Sequence, residues 1–490
     1  MRPYLTAGPD RPRSRRSFSR RSLLSTVTCA ATGATLLGAA PLPGITTGPW
    51  DGSGRSIPSA DVVAEQVRQE YLHGWLGYVG RAWGYDELRP VTGGHHDFFA
   101  PGYSFGLSIV EALDTLYLMG EDAELARCCD WIDAHLDPAQ NVDTHVFEAV
   151  IRIVGGLVAG YQATGRGSLL ARAREFADRL LPAFTKSPTG VPYTHVNMRT
   201  GAVRGTSVPL AEAGTSVMEF GMLSRLTGDA RYYDASMRAY RAVLDRRSSL
   251  DLLADTIHAE SGRWLDSVCS TPDPPVDSFY EYLWGGGALL ADRQLTDWYR
   301  LTTAATLRHQ AVVSSGRLWF RAVDYRTGRP SGPPRQSELG SFYAGLLAKG
   351  GDLEHGAAYY RSWTDALDRY PVLPETLDFT DLRAVDRGNQ LRPEYPNSAF
   401  DLWRITGDDY YRQTAYQWFL GMRGNQRVPG GYTVAGDVTA PGMLLGDLTP
   451  AYWFAENLKY LWLMFSATPR FDYRNGILST EGKVLRGLKA

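Results

Sequence analysis

Three segments of the sequence place carboxylates beside aromatic residues, a combination that could act on a sugar. Glu148 stands four residues before Arg152, Asp277 opens a run that continues through Glu281 to a tryptophan, and Glu394 follows an Arg-Pro pair. Hydrolysis of a glycosidic bond needs two carboxyl groups, one to protonate the leaving oxygen and one to activate water. The sequence therefore contains side chains suited to this chemistry, although it does not give the distances between them.

Each segment also has an ordinary structural explanation. Glu148 and Arg152 would form an i,i+4 ion pair on a helix, and Asp277 stands where a helix N-cap is expected. A glutamate in a first helical turn, such as Glu394, is favoured by the helix dipole. A fourth segment carries Glu456 as an isolated acid in the apolar, aromatic run 452–463, where it is costly unless paired. These acids would act together only if the elements that carry them close around a common centre.

The segments lie on a chain of amphipathic helices that begins near residue 60. Apolar residues recur at period 3.6, Gly, Pro and Asp separate the helices, and strand-like alternation is rare. The pattern predicts about fourteen helices that pair into about seven hairpins. Their predicted ranges are 61–82, 104–119, 122–136, 145–164, 167–185, 208–226, 229–246, 277–291, 293–312, 337–350, 354–368, 393–406, 408–423 and 449–466.

Two of these hairpins share a joint, at 226–229 and 405–408, in which Gly is predicted to end one helix and Asp to cap the next. A weak repeat of helical hairpins indicates a solenoid or a closed α/α toroid. Irregular spacing between the hairpins favours a closed all-α barrel with function in its long connections. These connections are 186–207, 247–276, 313–336, 369–392 and 424–448. The stretch 467–490 has no helical period, so it either trails free or is threaded inward.

The N-terminus differs from the rest of the chain. Six arginines between residues 11 and 21 precede a small and apolar stretch, 23–40, that ends in Leu-Gly-Ala-Ala-Pro. This pattern predicts a signal peptide over 1–40, and two Arg-Arg pairs indicate the twin-arginine type. A flexible linker is then predicted over 41–60 and a single catalytic domain over 61–490. The mature protein is expected to be secreted.

Charge and cysteine content exclude several classes of partner and site. Removal of residues 1–40 takes away seven Arg and one Asp, so the formal charge of −2 becomes −8. A mildly acidic protein without basic blocks or an uninterrupted membrane-spanning apolar run is expected to bind neither nucleic acid nor, stably, a membrane. Cys128, Cys129 and Cys269 cannot form a disulfide framework or a zinc site, although one bridge to Cys269 is left open. A monomer is expected.

Several motifs, read in order, resemble glycoside hydrolase family 47, the class I α-mannosidases. The first is Tyr71-Leu-His-Gly-Trp75-Leu-Gly-Tyr78, followed by Ala82-Trp-Gly-Tyr-Asp-Glu-Leu-Arg-Pro90. Further similar motifs lie at 108–120, 147–156, 213–229, 277–283, 391–394 and 456–461. Together they extend from about residue 71 to 481, nearly the whole of the expected mature chain.

The resemblance implies an (α/α)7 barrel of seven helical hairpins that removes terminal α-1,2-linked mannose with inversion, as a mannosyl-oligosaccharide 1,2-α-mannosidase does. Glu148 matches the family's proposed general acid, Asp277 a second carboxylate that can deliver a proton through water, and Glu394 the general base. Which of the first two delivers the proton stays open. Mannans or high-mannose N-glycans are the implied substrates. The resemblance also implies a set of substrate-binding residues: Arg152, Glu281, Arg392, Asn397, Tyr452, Glu456 and Glu481.

A calcium ion at the barrel floor is also implied by the resemblance. Ser479-Thr480-Glu481 is similar to the motif that supplies a threonine ligand in this family, so Thr480 is the implied metal ligand and the C-terminal segment is threaded to the floor. Ca²⁺ accepts oxygen ligands in flexible numbers, which makes one Thr with waters chemically reasonable.

Three departures from the family pattern leave details open. Asn397 stands where a second glutamate is usual, which would lower the calcium affinity. The run 338–342 stands where a His and a Cys are expected, so the family's disulfide is absent and one sugar contact is changed. Pro275 occupies a position linked to branch preference.

Two other functions remain open from the sequence. One is a glycan-binding relative that has lost catalysis, and the other is a different α/α-barrel glycosidase or a sugar epimerase that needs no calcium.

Overall fold

The computed structural model describes residues 57–487. The predicted signal peptide and most of the predicted linker lie outside the described residues. The helices are α1 Ala60–Arg81, α2 Leu107–Met119, α3 Asp122–His135, α4 Val146–Glu148, α5 Gly155–Thr164, α6 Gly167–Thr185, α7 Leu210–Gly214, α8 Val217–Thr227, α9 Arg231–Leu244, α10 Asp277–Leu290, α11 Arg293–His309, α12 Tyr343–Lys349, α13 Leu353–Leu367, α14 Glu394–Thr406, α15 Asp409–Asn425 and α16 Lys459–Phe465.

Three tighter or wider helical turns complete these elements. A π-helical turn, Ala149–Val154, joins α4 and α5 into one helix, and a second π-helical turn, Trp453–Asn457, precedes α16. A 3₁₀ turn, Glu338–Phe342, leads into α12. Isolated π turns inside α-helices occur often at functional sites.

The helices form two concentric rings. Around the inner ring, α2 contacts α5, α5 contacts α8, and contacts continue through α10, α12, α14 and α16 until the π turn before α16 returns to α2. Six inner helices pack against the outer helix that follows them in sequence, namely α3, α6, α9, α11, α13 and α15. The seventh inner helix, α16, packs against α1, the first helix of the chain. Seven helix pairs therefore close into an (α/α)7 barrel, and the predicted fold class is confirmed.

Residue type explains which helices lie inside. In α2 every residue except Tyr117 is buried, because the helix is mostly apolar and its two acids, Glu111 and Asp114, pair with buried lysines. Outer helices such as α9 bury one stripe and expose the other face. Gly156 allows α5 to approach α2 closely, because a Cβ there would lie 2.7 Å from Val110 Cγ1.

Short strands occupy the connections, which the sequence did not predict. They are β1 Glu87–Arg89, β2 Gly94–His96, β3 Asp143–His145, β4 His195–Asn197, β5 Val203–Arg204, β6 Ser207–Pro209, β7 Thr256–His258, β8 Val268–Cys269, β9 Ala311–Ser314, β10 Arg317–Phe320, β11 Val323–Asp324, β12 Arg335–Ser337, β13 Thr376–Asp378, β14 Arg383–Asp386, β15 Arg427–Val428, β16 Gly431–Tyr432, β17 Ala435–Asp437, β18 Leu444–Leu445, β19 Gly476–Leu478 and β20 Val484–Arg486. Among the described residues they pair as small antiparallel sheets of two or three strands. Strands this short carry too few residues for a period of two to be recognised.

The C-terminal segment is a β-hairpin. Strands β19 and β20 pair in the register Gly476↔Arg486, Ile477↔Leu485 and Leu478↔Val484. The loop between them, residues 479–483, is buried except for a partly exposed Thr480. The segment is therefore threaded inward and does not trail free over its described length.

Some local predictions differ from the structure. The residue that caps α9 is Ala230 rather than Asp229, whereas Asp408 caps α15 through Tyr410 N as predicted. Cys128, Cys129 and Cys269 are buried free thiols, so the open bridge to Cys269 is not formed. Among the described residues, the helix Val146–Thr164 is long and apolar enough to span a bilayer, but it is a largely buried inner helix of the barrel.

Candidate active site

One cavity of about 180 Å³ is lined by every residue that was predicted as catalytic, substrate-binding or metal-binding. Of the residues that line it, those predicted as catalytic, substrate-binding or metal-binding are Glu148, Arg152, Asp277, Glu281, Arg392, Glu394, Asn397, Tyr452, Glu456, Thr480 and Glu481. They come from the N-terminal parts of α10 and α14, from α4 and the π turn after it, from the π turn before α16, from the segments just before α14 and before that second π turn, and from the C-terminal hairpin loop. Elements far apart in sequence thus bring eleven predicted residues to one place.

Arg152 organises the first wall of the cavity. It lies in the π turn after α4, and its Nε donates to Glu148 Oε2 at 2.6 Å. Its Nη1 donates to Glu481 Oε2 at 2.8 Å and, more loosely, to Glu111 Oε1 at 3.3 Å. One guanidinium therefore donates hydrogen bonds to three carboxylates. The i,i+4 pair expected from the sequence is present, but it is part of a buried network rather than a surface ion pair.

Aromatic rings lie near the same guanidinium. Arg152 Cζ is 5.2 Å from the centre of the Phe98 ring and 5.5 Å from that of Tyr452. Cation–π contact at these distances restricts the plane of the guanidinium. Phe98 was not identified from the sequence, since no periodicity relates it to α4.

Asp277 and Glu281 line the cavity from the first turn of α10. Asp277 is the first helical residue, and its Oδ1 accepts from the adjacent Ser278 N at 2.8 Å. Val276 occupies the N-cap position, so the explanation of Asp277 as an N-cap is wrong. Burial raises the pKa of Asp277 to about 6 and that of Glu281 to about 7. Both carboxyls can thus hold a proton closer to neutral pH than an exposed acid does.

Glu394 is the first residue of α14 and lines the cavity as a partly buried side chain whose Oε2 is itself buried. Burial raises the pKa of Glu394 to about 7, and its Oε2 has no hydrogen-bond partner among the described residues. Asn397 Oδ1, one turn further along, is likewise buried without a partner there. Two buried oxygen atoms that lack protein partners can accept from water, a sugar hydroxyl or a cation.

Arg392 is held beside Glu394 by a residue that the sequence did not reveal. Its Nε lies 3.1 Å from Glu375 Oε2, and its guanidinium carbon lies 5.8 Å from the centre of the Tyr452 ring. Tyr452 in turn donates its hydroxyl to the carbonyl of Gln390. Glu375 belongs to the long connection before α14, and the ion pair fixes Arg392 at the cavity edge.

The cavity floor is formed by the π turn before α16 and by the C-terminal hairpin loop. Glu456 Oε2 accepts from Tyr460 Oη at 2.8 Å, which supplies the partner that an acid in an apolar helix requires. Thr480 lines the floor next to Glu281, and Glu481 reaches Arg152. Burial raises the pKa of Glu481 to about 8, and burial together with the charge of Glu481 raises the pKa of Glu456 well above its usual range.

Two buried lysines fasten the hairpin loop to the barrel. Lys459 of α16 donates to both carboxylate oxygens of Asp114 at 2.9 Å and to the carbonyl of Gly482 at 2.5 Å. Lys483 donates to the carboxylate of Glu111 and, at 3.2 Å, to its carbonyl oxygen. Neither lysine side chain is exposed. Their role was missed from the sequence, although a single lysine within the apolar run 458–465 was a signal that it must be paired.

The remaining wall residues are apolar or small and were not predicted as a set. Leu339 and Phe342 come from the 3₁₀ turn before α12, the same run that departs from the family pattern. Phe147, Ile151, Ser278 and Pro393 complete the lining. A lining that combines apolar side chains with acids suits a ligand with both C–H faces and hydroxyl groups.

Comparison with known proteins points to one family. The model of glycosyl hydrolase family 47 matches residues 70–487. Mannosyl-oligosaccharide 1,2-alpha-mannosidase IB of Mus musculus is 32% identical over 453 residues, which cover 87% of this chain and 70% of the mouse protein. ER degradation-enhancing alpha-mannosidase-like protein 2 of Mus musculus is 30% identical over 444 residues, covering 86% of this chain and 75% of that protein.

Solved structures share the fold. The alpha-1,2-mannosidase from Trichoderma reesei superposes with a TM-score of 0.78 at 24% identity, over 88% of this chain and all of that one (100%). Cellobiose 2-epimerase from Bacillus thermoamylovorans B4167 superposes with a TM-score of 0.53 at 12% identity, over 83% of this chain and 99% of that one. At these identities the similarity shows only that the chains share the barrel fold.

Proposed function

The chain belongs to glycosyl hydrolase family 47, and on that premise we propose that it hydrolyses terminal α-1,2-linked mannose from oligosaccharides or glycoprotein glycans, with inversion. The observation that supports this most strongly is the convergence of Glu148, Asp277 and Glu394 on one buried cavity that also holds two arginines and an apolar wall. The relatives named as 1,2-alpha-mannosidases agree with this reaction.

In the proposed reaction Glu394 acts as the general base. Burial raises its pKa to about 7, and its unpaired Oε2 is free to accept a proton from water. A base with a pKa near the working pH combines the correct ionisation with a useful driving force. The proton for the leaving oxygen comes from the opposite side, either from Glu148 directly or from Asp277 through a water molecule.

The groups around Asp277 change its pKa in opposite directions. Burial raises the pKa most, the positive charge of Arg392 lowers it, and the negative charge of Glu148 raises it. The hydrogen bond from Ser278 N and the charge of Arg392 limit the effect of burial, which raises the pKa of Asp277 to about 6. A proton held there is available to a leaving group at mildly acidic or neutral pH.

We also propose that the cavity floor binds Ca²⁺. Residues 57–487 contain no group of three or more His, Cys, Asp or Glu side chains arranged to hold a metal, so the proposed direct protein ligand is Thr480. The unpaired oxygens of Glu394 and Asn397 and the buried acids Glu456 and Glu481 fit a cation that is reached through water. When bound, the ion would hold sugar hydroxyls and orient the attacking water.

The N-terminal sequence supports a further proposal about location. We propose that residues 1–40 direct export, that the mature protein acts outside the cytoplasm, and that it is a monomer without stable membrane association. N-terminal sequencing of protein recovered from the medium would locate the cleavage site, and size-exclusion chromatography with light scattering would give the mass. Retention of residues 1–40 in the exported protein would contradict the signal-peptide assignment.

The deciding experiment is an NMR time course of the purified mature protein on α-1,2-mannobiose, with calcium and then with a chelator. The expected first product is β-mannose, formed only with calcium. First appearance of α-mannose would contradict inversion, and equal rates with the chelator would contradict the metal. Binding of the disaccharide without release of mannose would indicate a glycan-binding relative, and activity on glucosides without calcium would indicate a different barrel glycosidase.

A further inference from the structure

Behind the cavity, the buried acids and cations do not form separate pairs of one acid with one cation. Arg152 faces Glu148 at 2.6 Å, Glu481 at 2.8 Å and Glu111 at 3.3 Å. Glu148 binds Arg152 Nε, whereas Glu481 and Glu111 share Nη1, so these two acids compete for one nitrogen of the guanidinium. The longest of the three contacts is the one to Glu111, and among the described residues Glu111 is the one of these acids that has a second cation within ion-pair distance.

That second cation is Lys483, carried by the C-terminal hairpin loop. Its ammonium contacts the Glu111 carboxylate and, at 3.2 Å, the Glu111 carbonyl, and neither side chain of the pair is exposed. Its aliphatic stem lies beside Gly155, where a Cβ would be 3.4 Å from Lys483 Cγ. The stem of Lys483 therefore packs against α5 while its ammonium contacts Glu111.

We propose that Lys483 is a positioning residue for the reaction: by neutralising Glu111 it leaves Arg152 free to hold Glu148 and Glu481. This inference rests on the proposed function for its effect on turnover, but not for its effect on the position of Arg152. A buried carboxylate without a cation is strongly unfavourable. Without Lys483, Glu111 would therefore draw Arg152 toward itself and away from Glu148.

Anchoring of the hairpin by Lys483 would be a purely structural alternative. The two roles differ in what happens when Glu111 is also neutralised. If Lys483 only fastens the loop, removal of both charges leaves the loop unfastened and activity stays low. If Lys483 acts by neutralising Glu111, an uncharged residue at position 111 no longer competes for Arg152, and activity returns.

The test is a cycle of Lys483→Met, Glu111→Gln and the double variant, assayed for release of mannose from α-1,2-mannobiose well below the unfolding temperature. Lys483→Met is expected to lower kcat about 10- to 100-fold, since a small displacement of catalytic groups has effects of this size. The double variant is expected to recover kcat to within about two-fold of Glu111→Gln alone. A double variant as slow as Lys483→Met would overturn the proposal.

Lys459→Met provides the matched control. Lys459 is equally buried and holds the same loop through Asp114 and Gly482, but it does not contact Glu111 or Arg152. Adding Glu111→Gln to Lys459→Met should not restore any activity that Lys459→Met removes. Rescue of both lysine variants by Glu111→Gln would show a general effect on the loop and contradict a specific role for Lys483.

Crystal structures of the same variants test the inference independently of turnover. In Lys483→Met, Arg152 Nη1 should move closer to Glu111 than 3.3 Å and the 2.6 Å contact to Glu148 should be lost, whereas the double variant should restore that contact. An unmoved Arg152 in Lys483→Met would overturn the proposal even if the wild-type protein released no mannose. If Lys483→Met does not fold, the double variant, in which both members of the pair are neutral, still tests the inference: a retained contact between Arg152 and Glu148 supports it, and loss of that contact overturns it.

Discussion

Arg152 and Glu148 meet at 2.6 Å across one turn of an inner helix at the point where that helix widens into a π turn. Only 9% of the Arg152 side chain is exposed, so solvent screens the contact weakly. The planar guanidinium presents Nε to Glu148 and Nη1 to Glu481 at the same time. A lysine could offer a charge at this place but not this fixed fork of donors.

Arg152→Lys is therefore expected to lower kcat/KM for α-1,2-mannobiose about 10- to 100-fold, the equivalent of losing one charge-assisted hydrogen bond. Steady-state kinetics of the purified variant would measure it. Arg204→Lys is the control, because Arg204 pairs with Asp143 on an exposed strand outside the cavity. Equal activity of Arg152→Lys and wild type would show that charge alone suffices at position 152.

Glu394→Gln is expected to reduce kcat by at least about 100-fold with little change in unfolding temperature, because an amide cannot accept the proton from water. The matched control is Glu338→Gln. Glu338 is fully buried, whereas Glu394 is partly exposed, and the Glu338 Oε2 accepts from Asn389 Nδ2 at 3.2 Å, a bond that an amide oxygen can keep. The control should stay within a few-fold of wild type. Turnover by Glu394→Gln at the wild-type rate would remove Glu394 from the mechanism.

Helix periodicity is a local property, so the sequence was sufficient to predict the helices and their pairing into hairpins, whereas the closed barrel of seven hairpins was implied by the resemblance to the family. Predicted and observed bounds agree within a few residues for helices such as α1, α6 and α10. Where the predicted and observed bounds differ, tertiary contacts determine the observed helix. The helix predicted over 208–226 is split into α7 and α8 around Thr215 and Ser216, and the one predicted over 449–466 opens with a π turn that carries Glu456.

The sequence predicted the acids of the site but not the residues that hold the site's side chains in place. The eleven predicted residues were each recognisable from a motif, and all of them line the cavity. The partners Glu375 and Lys483 lie in segments without helical period, so nothing in the sequence links them to Arg392 or Glu111. Such pairings depend on how distant elements meet, which a pattern of residue types does not encode.

Stability without calcium should fall as pH rises from about 4.5 to about 7. Burial raises the folded-state pKa of Asp277 to about 6 and those of Glu281 and Glu394 to about 7. Between its unfolded and folded pKa values each group binds more protons in the folded state, so its stabilising contribution is full below the unfolded pKa and is lost as pH rises through the folded pKa.

Thermal unfolding in the presence of a chelator, followed across this pH range, would measure the effect. Glu394→Gln should make the decline shallower, because that variant removes one of the titrating groups. Unfolding temperatures that increase with pH over the same range would contradict the assignment of raised pKa values to these buried acids.

Thr480→Val is expected to abolish stabilisation of the protein by calcium. The substitution keeps the shape of the side chain but removes the proposed ligand hydroxyl from the cavity floor. A ligand at 100 times its Kd raises the free energy of unfolding by about 2.7 kcal/mol, so the wild-type protein should show a clear calcium-dependent rise in unfolding temperature and the variant none. Thr302→Val is the control, since Thr302 is buried and its hydroxyl bonds only to carbonyls of its own helix, at 2.9 and 3.3 Å. A calcium response in Thr480→Val equal to that of Thr302→Val would show that the ion, if bound, is held elsewhere.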